Sequence, residues 1–156
     1  MKIKTVTLRG YKSIAKLEAF ELRNLNVLIG ANGAGKSNFI GIFKLLAALA
    51  DGNFQTFVQK QGGPDALLHG SRTRTQQIDA EIYFQPGYQG ISNGYRISLT
   101  PTADNRLIFT REQTWIDGHY TTTAISLGTA HDEAKLRDDP QAVSTYVRPA
   151  MQSWRQ

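Results

Sequence analysis

The chain has 156 residues, 40% of them apolar and none of them cysteine. That is enough for one domain with a real core, and it excludes disulfide staples and thiolate metal sites. The net charge of +5 is uneven: residues 1–60 hold nine Lys/Arg against three Asp/Glu, and the remainder nine against ten, so any attraction for nucleic acid or nucleotide phosphates falls in the first 60 residues, where a plain solvated basic face is the simpler explanation.

Residues 2–8, KIKTVTL, are β-branched and roughly alternating. They predict a strand with Lys4, Val6 and Leu8 on one face, ending at Arg9-Gly10. Leu17 to Leu22 predicts a second, less regular strand, and Asn24 and Asn26 punctuate a turn. Val27, Leu28 and Ile29 form a short apolar run, the pattern of a buried central strand. Lys36 to Ala50 contains no proline, and Phe39, Ile40, Phe43, Leu46, Ala47 and Ala50 recur at spacings of three and four. That predicts a helix with one apolar face, stopped by Asp51-Gly52-Asn53. Pro64 suits the first turn of a short helix through Leu68.

The pattern then changes. Ile78, Ala80, Ile82 and Phe84 alternate with polar residues, as do Ile97 and Leu99. Leu107 to Phe109 and Ala124 to Leu127 are further strand candidates. Gly87, Gly90, Asn93-Gly94, Asp104-Asn105 and Asp117-Gly118 are expected as turns of an antiparallel sheet. A last helix is expected from near Pro140, with Ala142, Val143, Tyr146 and Val147 on one side and an interruption at Pro149. The expected fold class is α/β, one domain with two sheets. No apolar run reaches the roughly 18 residues of a membrane span and no targeting segment is visible, so the expected setting is cytoplasmic with no membrane partner.

Between the apolar run and the helix lies Gly30-Ala31-Asn32-Gly33-Ala34-Gly35-Lys36-Ser37, which matches G-x-x-x-x-G-K-[ST] in its strand–loop–helix context. Glycines let the backbone bring its N–H groups close to anionic oxygen. The free N–H groups and the dipole at the helix start favour negative charge. Lys36 would reach the β- and γ-phosphates, and Ser37 would offer its hydroxyl to Mg²⁺. Hydrolysis also needs an acidic strand end to organise Mg²⁺ and a group to position water. Asp51 closes the helix, Asp117 sits in a turn signal, and Asp79 and Glu81 alternate outward, so none qualifies. His69, His119 and His131 lack metal-ligand spacing; His69 reads as helix-end packing, with a nucleotide contact as the alternative. Arg72 and Arg74 read as an exposed basic loop. Tyr83, Tyr88, Tyr95 and Trp115 read as sheet packing rather than base-stacking platforms.

TLRGYKSI (Thr7 to Ile14) followed by LNVLIGANGAGKSNFI (Leu25 to Ile40) resembles the N-terminus of the RecF/SMC/ABC-like ATPases. FKLLAAL, FVQKQGGPDALLH and QSWR narrow the resemblance to the predicted AAA-type ATPases grouped with them. The resemblance implies a P-loop NTPase fold, an ABC/SMC-like N-terminal lobe with a mixed sheet and an added antiparallel sheet, over residues 1–156. It implies that Gly30 to Ser37 is the Walker A loop for ATP and Mg²⁺, that Asn38, continuing a Lys-Ser-Asn form, joins the nucleotide contacts, and that Lys12 stands near the nucleotide. In that family two heads pair around ATP, and a C-terminal lobe supplies the signature motif and a Walker B Asp-Glu. Neither motif occurs here, so this chain is expected to be the N-terminal lobe of an ATPase, binding nucleotide and hydrolysing it little alone. DNA, a C-terminal half and an effector protein are the partners the resemblance implies, with roles in DNA repair or defence. A non-hydrolysing nucleotide-responsive module and a nonfunctional remnant are the alternatives.

Overall fold

The computed structural model describes residues 1–118 and 121–154; His119 lies outside them. Six strands form one sheet in the order β2-β1-β3-β4-β5-β6: β1 (Ile3–Tyr11), β2 (Ile14–Glu21), β3 (Ile78–Phe84), β4 (Ser92–Pro101), β5 (Leu107–Asp117) and β6 (Thr122–Gly128). Every neighbouring pair is antiparallel. The expectation of a mixed sheet plus a separate antiparallel one is therefore corrected to a single antiparallel sheet among the described residues.

Period-two alternation gives this sheet two unlike faces. On the inner face Leu8, Ala80 and Ile97 stand in one cross-strand row, and Val6, Ile82 and Tyr95 in the next. All are buried. On the outer face the corresponding rows are polar: Arg9, Asp79, Ser98 and Arg111 in one, Thr7, Glu81, Arg96 and Gln113 in another. Opposite charges face each other there, with Arg96 Nε 2.8 Å from Glu81 and Arg111 3.4 Å from Asp79.

The inner face is covered by α1 (Lys36–Ala50), α2 (Phe54–Lys60), α3 (Pro64–Leu67) and α4 (Ala142–Gln152). The bounds of α1 are those its sequence predicts. Its buried face is rotated, however: Ile42, Leu45, Leu46 and Leu49 are buried, whereas Ile40 is 53% exposed. Phe39 and Phe43 lie at the side, within an edge-to-face aromatic chain Phe20–Phe39–Phe43–Trp154. The helix is apolar almost all round, so periodicity alone leaves its buried side open. Pro149 lies inside α4 without ending it, a second correction. Helix α2 was not apparent from the mixed residues 53–75; its first two backbone N–H groups, of Phe54 and Gln55, donate to Glu133 from far along the chain.

Asn93-Gly94, expected as a turn, lies within β4. Gly94 sits between Tyr83 and Trp115 in an outer-face row. A Cβ there would stand 2.2 Å from the Trp115 ring. The missing side chain lets the indole lie over the backbone and meet Tyr83, their ring centres 3.6 Å apart. The glycine serves packing rather than chain reversal.

The largest departure is Val27 to Ile29. These residues form no strand. Val27 is 72% exposed and Ile29 91%. A central strand requires a neighbour on each side to satisfy its backbone and cover its side chains. Among the described residues no strand pairs with this segment, so the apolar run lies on the surface.

Candidate functional site

Residues 30–35 have no regular structure, and α1 begins at Lys36. Two glycines carry the backbone through conformations that side chains rarely adopt: Gly33 with φ 85° and Gly35 with φ 90°. The Ala34 N–H donates back to the Ala31 carbonyl at 3.2 Å, closing the turn. The backbone N–H groups of Gly33, Gly35, Lys36 and Ser37 take no acceptor among the described residues. They are the unpaired donors expected at a helix start, and no acidic side chain occupies the first turn of α1.

Lys36 folds back across the loop. Its ammonium donates to the carbonyls of Gly30 and Ala31, the latter at 2.8 Å. A cation is thus held inside a concave loop beside unpaired donors, an arrangement suited to an anion. Ser37 is exposed next to it. The loop, together with Ser13, Ile14, Leu17, Phe20, Val27 to Ile29 and Phe39, borders an open cavity of about 400 Å³.

The other residues expected near a nucleotide are brought close through the β1–β2 turn. Tyr11 pairs with Ile14, so Lys12 and Ser13 form a two-residue hairpin loop. Lys12 takes φ 48°, a conformation that costs a non-glycine residue about 1 kcal/mol. Its ammonium donates to Gln61 at 3.0 Å. Ser13 accepts a hydrogen bond from the Asn38 amide at 2.8 Å. His69, read as helix-end packing, does follow α3, but its ring bonds the Lys12 carbonyl at 2.7 Å. Arg72 is not a free basic side chain: it pairs with Asp65 and donates to the Thr102 carbonyl. Tyr95 and Trp115 are buried in the sheet, as expected, whereas Tyr88 is 86% exposed.

Phosphate fits this loop: glycines, free donors and a lysine converge on it. A metal ion alone does not, since no group of three His, Cys, Asp or Glu side chains is placed to hold one among the described residues. Ser37 is the hydroxyl that the loop presents at the start of α1. No described helix is long and apolar enough to cross a membrane.

A second polar cluster escaped the sequence reading. Glu112 is fully buried. One of its oxygens accepts from the Tyr95 hydroxyl at 2.8 Å and the Leu136 N–H at 3.0 Å. The other accepts from His131 at 2.5 Å and the Lys135 N–H at 2.9 Å. His131 stacks on Phe109. Burial, and then the neighbouring carboxylate, push the Tyr95 hydroxyl well above its ordinary range. The cluster pins residues 131–136 to β5 on the inner face of the sheet.

Comparison with known proteins gives a family. A family model described as "AAA ATPase domain" matches residues 1–136, which include the loop and all six strands. The DNA replication and repair protein RecF of Trichlorobacter lovleyi is 40% identical over 73 residues. That segment is 47% of this chain and 18% of the relative, so the chain spans a minor part of that protein. With a match over most of its length, this chain belongs to the AAA ATPase domain family, whose members bind nucleotide.

Proposed function

We propose that residues 30–37 bind the phosphates of ATP, with the chain acting as the N-terminal lobe of an ATPase head. The observation that carries this reading is Lys36, whose ammonium rests on the Gly30 and Ala31 carbonyls beside loop N–H groups that take no acceptor among the described residues. Entering phosphate oxygens would accept from Gly33, Gly35, Lys36 and Ser37 and draw the ammonium off the carbonyls. When Mg²⁺ accompanies the nucleotide, it neutralises phosphate charge. Ser37 would hold it together with the phosphates themselves.

Hydrolysis is assigned to groups beyond these. The first turn of α1 has no carboxylate. Glu112, the fully buried carboxylate, is occupied by four donors in the 131–136 cluster. The exposed run Val27 to Ile29 supports the same reading, because an apolar β-branched segment beside a phosphate loop suits coverage by a further lobe. That lobe, a head-to-head dimer around ATP, and DNA as a partner belong to this proposal. The name of the RecF relative is what points to DNA repair.

The test is equilibrium binding of a fluorescent ATP analogue with Mg²⁺, together with steady-state turnover. Binding that is lost in Lys36→Ala, with turnover close to background, is the expected result. Turnover at ordinary enzyme rates, abolished by Lys36→Ala, would overturn the division of labour. Equal binding by wild type and Lys36→Ala would overturn the phosphate-loop assignment.

A further inference from the structure

Asn38 stands one residue past the phosphate loop, and its side chain is bonded to the neighbouring β1–β2 turn. Its amide donates to Ser13 at 2.8 Å. Ser13 in turn lies flush against the loop: a Cβ on Gly35 would stand 2.9 Å from its hydroxyl oxygen. The Lys12–Ser13 turn therefore touches the loop at its last glycine and the first turn of α1. The turn is held from its other side as well. The Lys12 N–H donates to the Leu67 carbonyl at 2.8 Å, and the Lys12 carbonyl is bonded by the His69 ring at 2.7 Å. Because that carbonyl only accepts, the histidine nitrogen facing it carries the proton. The His69 backbone N–H donates to the Gly10 carbonyl at 2.9 Å. Both backbone groups of Lys12, the residue of this turn in a left-handed conformation, are thus fixed by the last residue of α3 and by His69 just beyond it. Strain of this kind persists where surrounding contacts over-determine it.

We infer that Asn38 and His69 are positioning residues that clamp the Lys12–Ser13 turn against the phosphate loop, Asn38 through the Ser13 hydroxyl and His69 through the Lys12 carbonyl. This rests on reading residues 30–37 as a nucleotide phosphate loop. It changes the place of Asn38 from nucleotide contact to support for the loop. It also makes Ser13 a second reason, beside the φ of 90°, that position 35 is glycine.

A double-mutant cycle in the 156-residue chain tests it, with a fluorescent ATP analogue as probe and Asn38→Ala, Ser13→Ala and their combination as variants. Each single change should weaken binding by up to about tenfold, the effect of one lost hydrogen bond. The double variant should bind no worse than the weaker single one, because both changes break the same link. Ser13→Thr, which keeps the hydroxyl, should bind like wild type. Additive losses would overturn the inference, since Asn38 would then contact nucleotide independently of Ser13. Lys36→Ala reports separately on the phosphate-loop reading. If no variant distinguishes nucleotide binding, amide hydrogen exchange without nucleotide still decides the clamp. Lys12 and Phe39 amides should lose protection in Asn38→Ala and His69→Ala, while β3–β5 amides keep theirs. Unchanged exchange at Lys12 and Phe39 would overturn it.

Discussion

The Glu112 cluster and the phosphate loop are opposites in how they treat polar groups. At Glu112 a buried carboxylate meets four donors, two on each oxygen. At the loop, the backbone N–H groups of Gly33, Gly35, Lys36 and Ser37 meet no acceptor among the described residues, and a lysine makes do with two carbonyls. The neighbouring apolar side chains differ in the same way. Tyr95, Ile97 and Phe109 around Glu112 are buried, while Val27 and Ile29 beside the loop lie open. The satisfied Glu112 carboxylate contributes to holding one fold and keeps no acceptor for a ligand, although Nδ1 of His131 beside it is buried without a partner among the described residues. An unsaturated loop adds little to stability and keeps its donors for something that arrives later.

The contrast breaks most readily at Glu112. Glu112→Ala strands the Tyr95 hydroxyl, His131 and two backbone N–H groups, and should destabilise the chain by about 3–5 kcal/mol, read as a lowered urea midpoint. Glu112→Gln, which keeps one good acceptor, should lie between. Gly94→Val places a side chain where the Trp115 ring lies and should cost about 1–3 kcal/mol by overpacking, with a change in tryptophan fluorescence. Glu133→Ala leaves the Phe54 and Gln55 N–H groups uncapped and should cost about 1 kcal/mol, seen in the thermal midpoint.

On the loop side the expected stability effects are small. Val27→Ser with Ile29→Ser should change unfolding free energy by no more than about 0.5 kcal/mol per site, as for surface positions. A loss of about 2 kcal/mol or more would mean that the segment is covered in solution. It would erase the difference between the two regions. Lys36→Ala should leave the melting temperature in place while removing nucleotide binding, so stability and binding respond to different halves of the molecule.

Much of the frame was legible in the order of residues. Ile78 to Phe84 alternates in the chain and alternates in burial. Helix α1 has the bounds its proline-free run implies. Such features depend on local periodicity, which the backbone carries into any surroundings. The loop's glycines and lysine were equally readable, since their conformations and donors are local.

Other features required the assembled sheet. Strand β5 carries an irregularity: Ser98 pairs with Arg111, but the next residue, Leu99, pairs with Phe109. The extra residue, Thr110, reverses which side chains point inward. Without it Arg111 would follow Leu107 and Phe109 toward the core; with it Glu112 does. A buried glutamate is costly unless donors surround it, and its donors come from β4 and from residues 131–136, far along the chain. Asn93-Gly94 has the composition of a turn, but Trp115 lies across the glycine within β4. The run Val27 to Ile29 is the sharpest case. Its composition specifies a strand that wants burial, but whether a strand forms is decided by neighbours that pair with it. The local order of residues was enough for the glycine–lysine loop, the principal helix and the alternating strands. Packing settled which apolar segment lies open, which carboxylate is buried, and that Asn38 reaches Ser13, because each depends on partners distant in the chain.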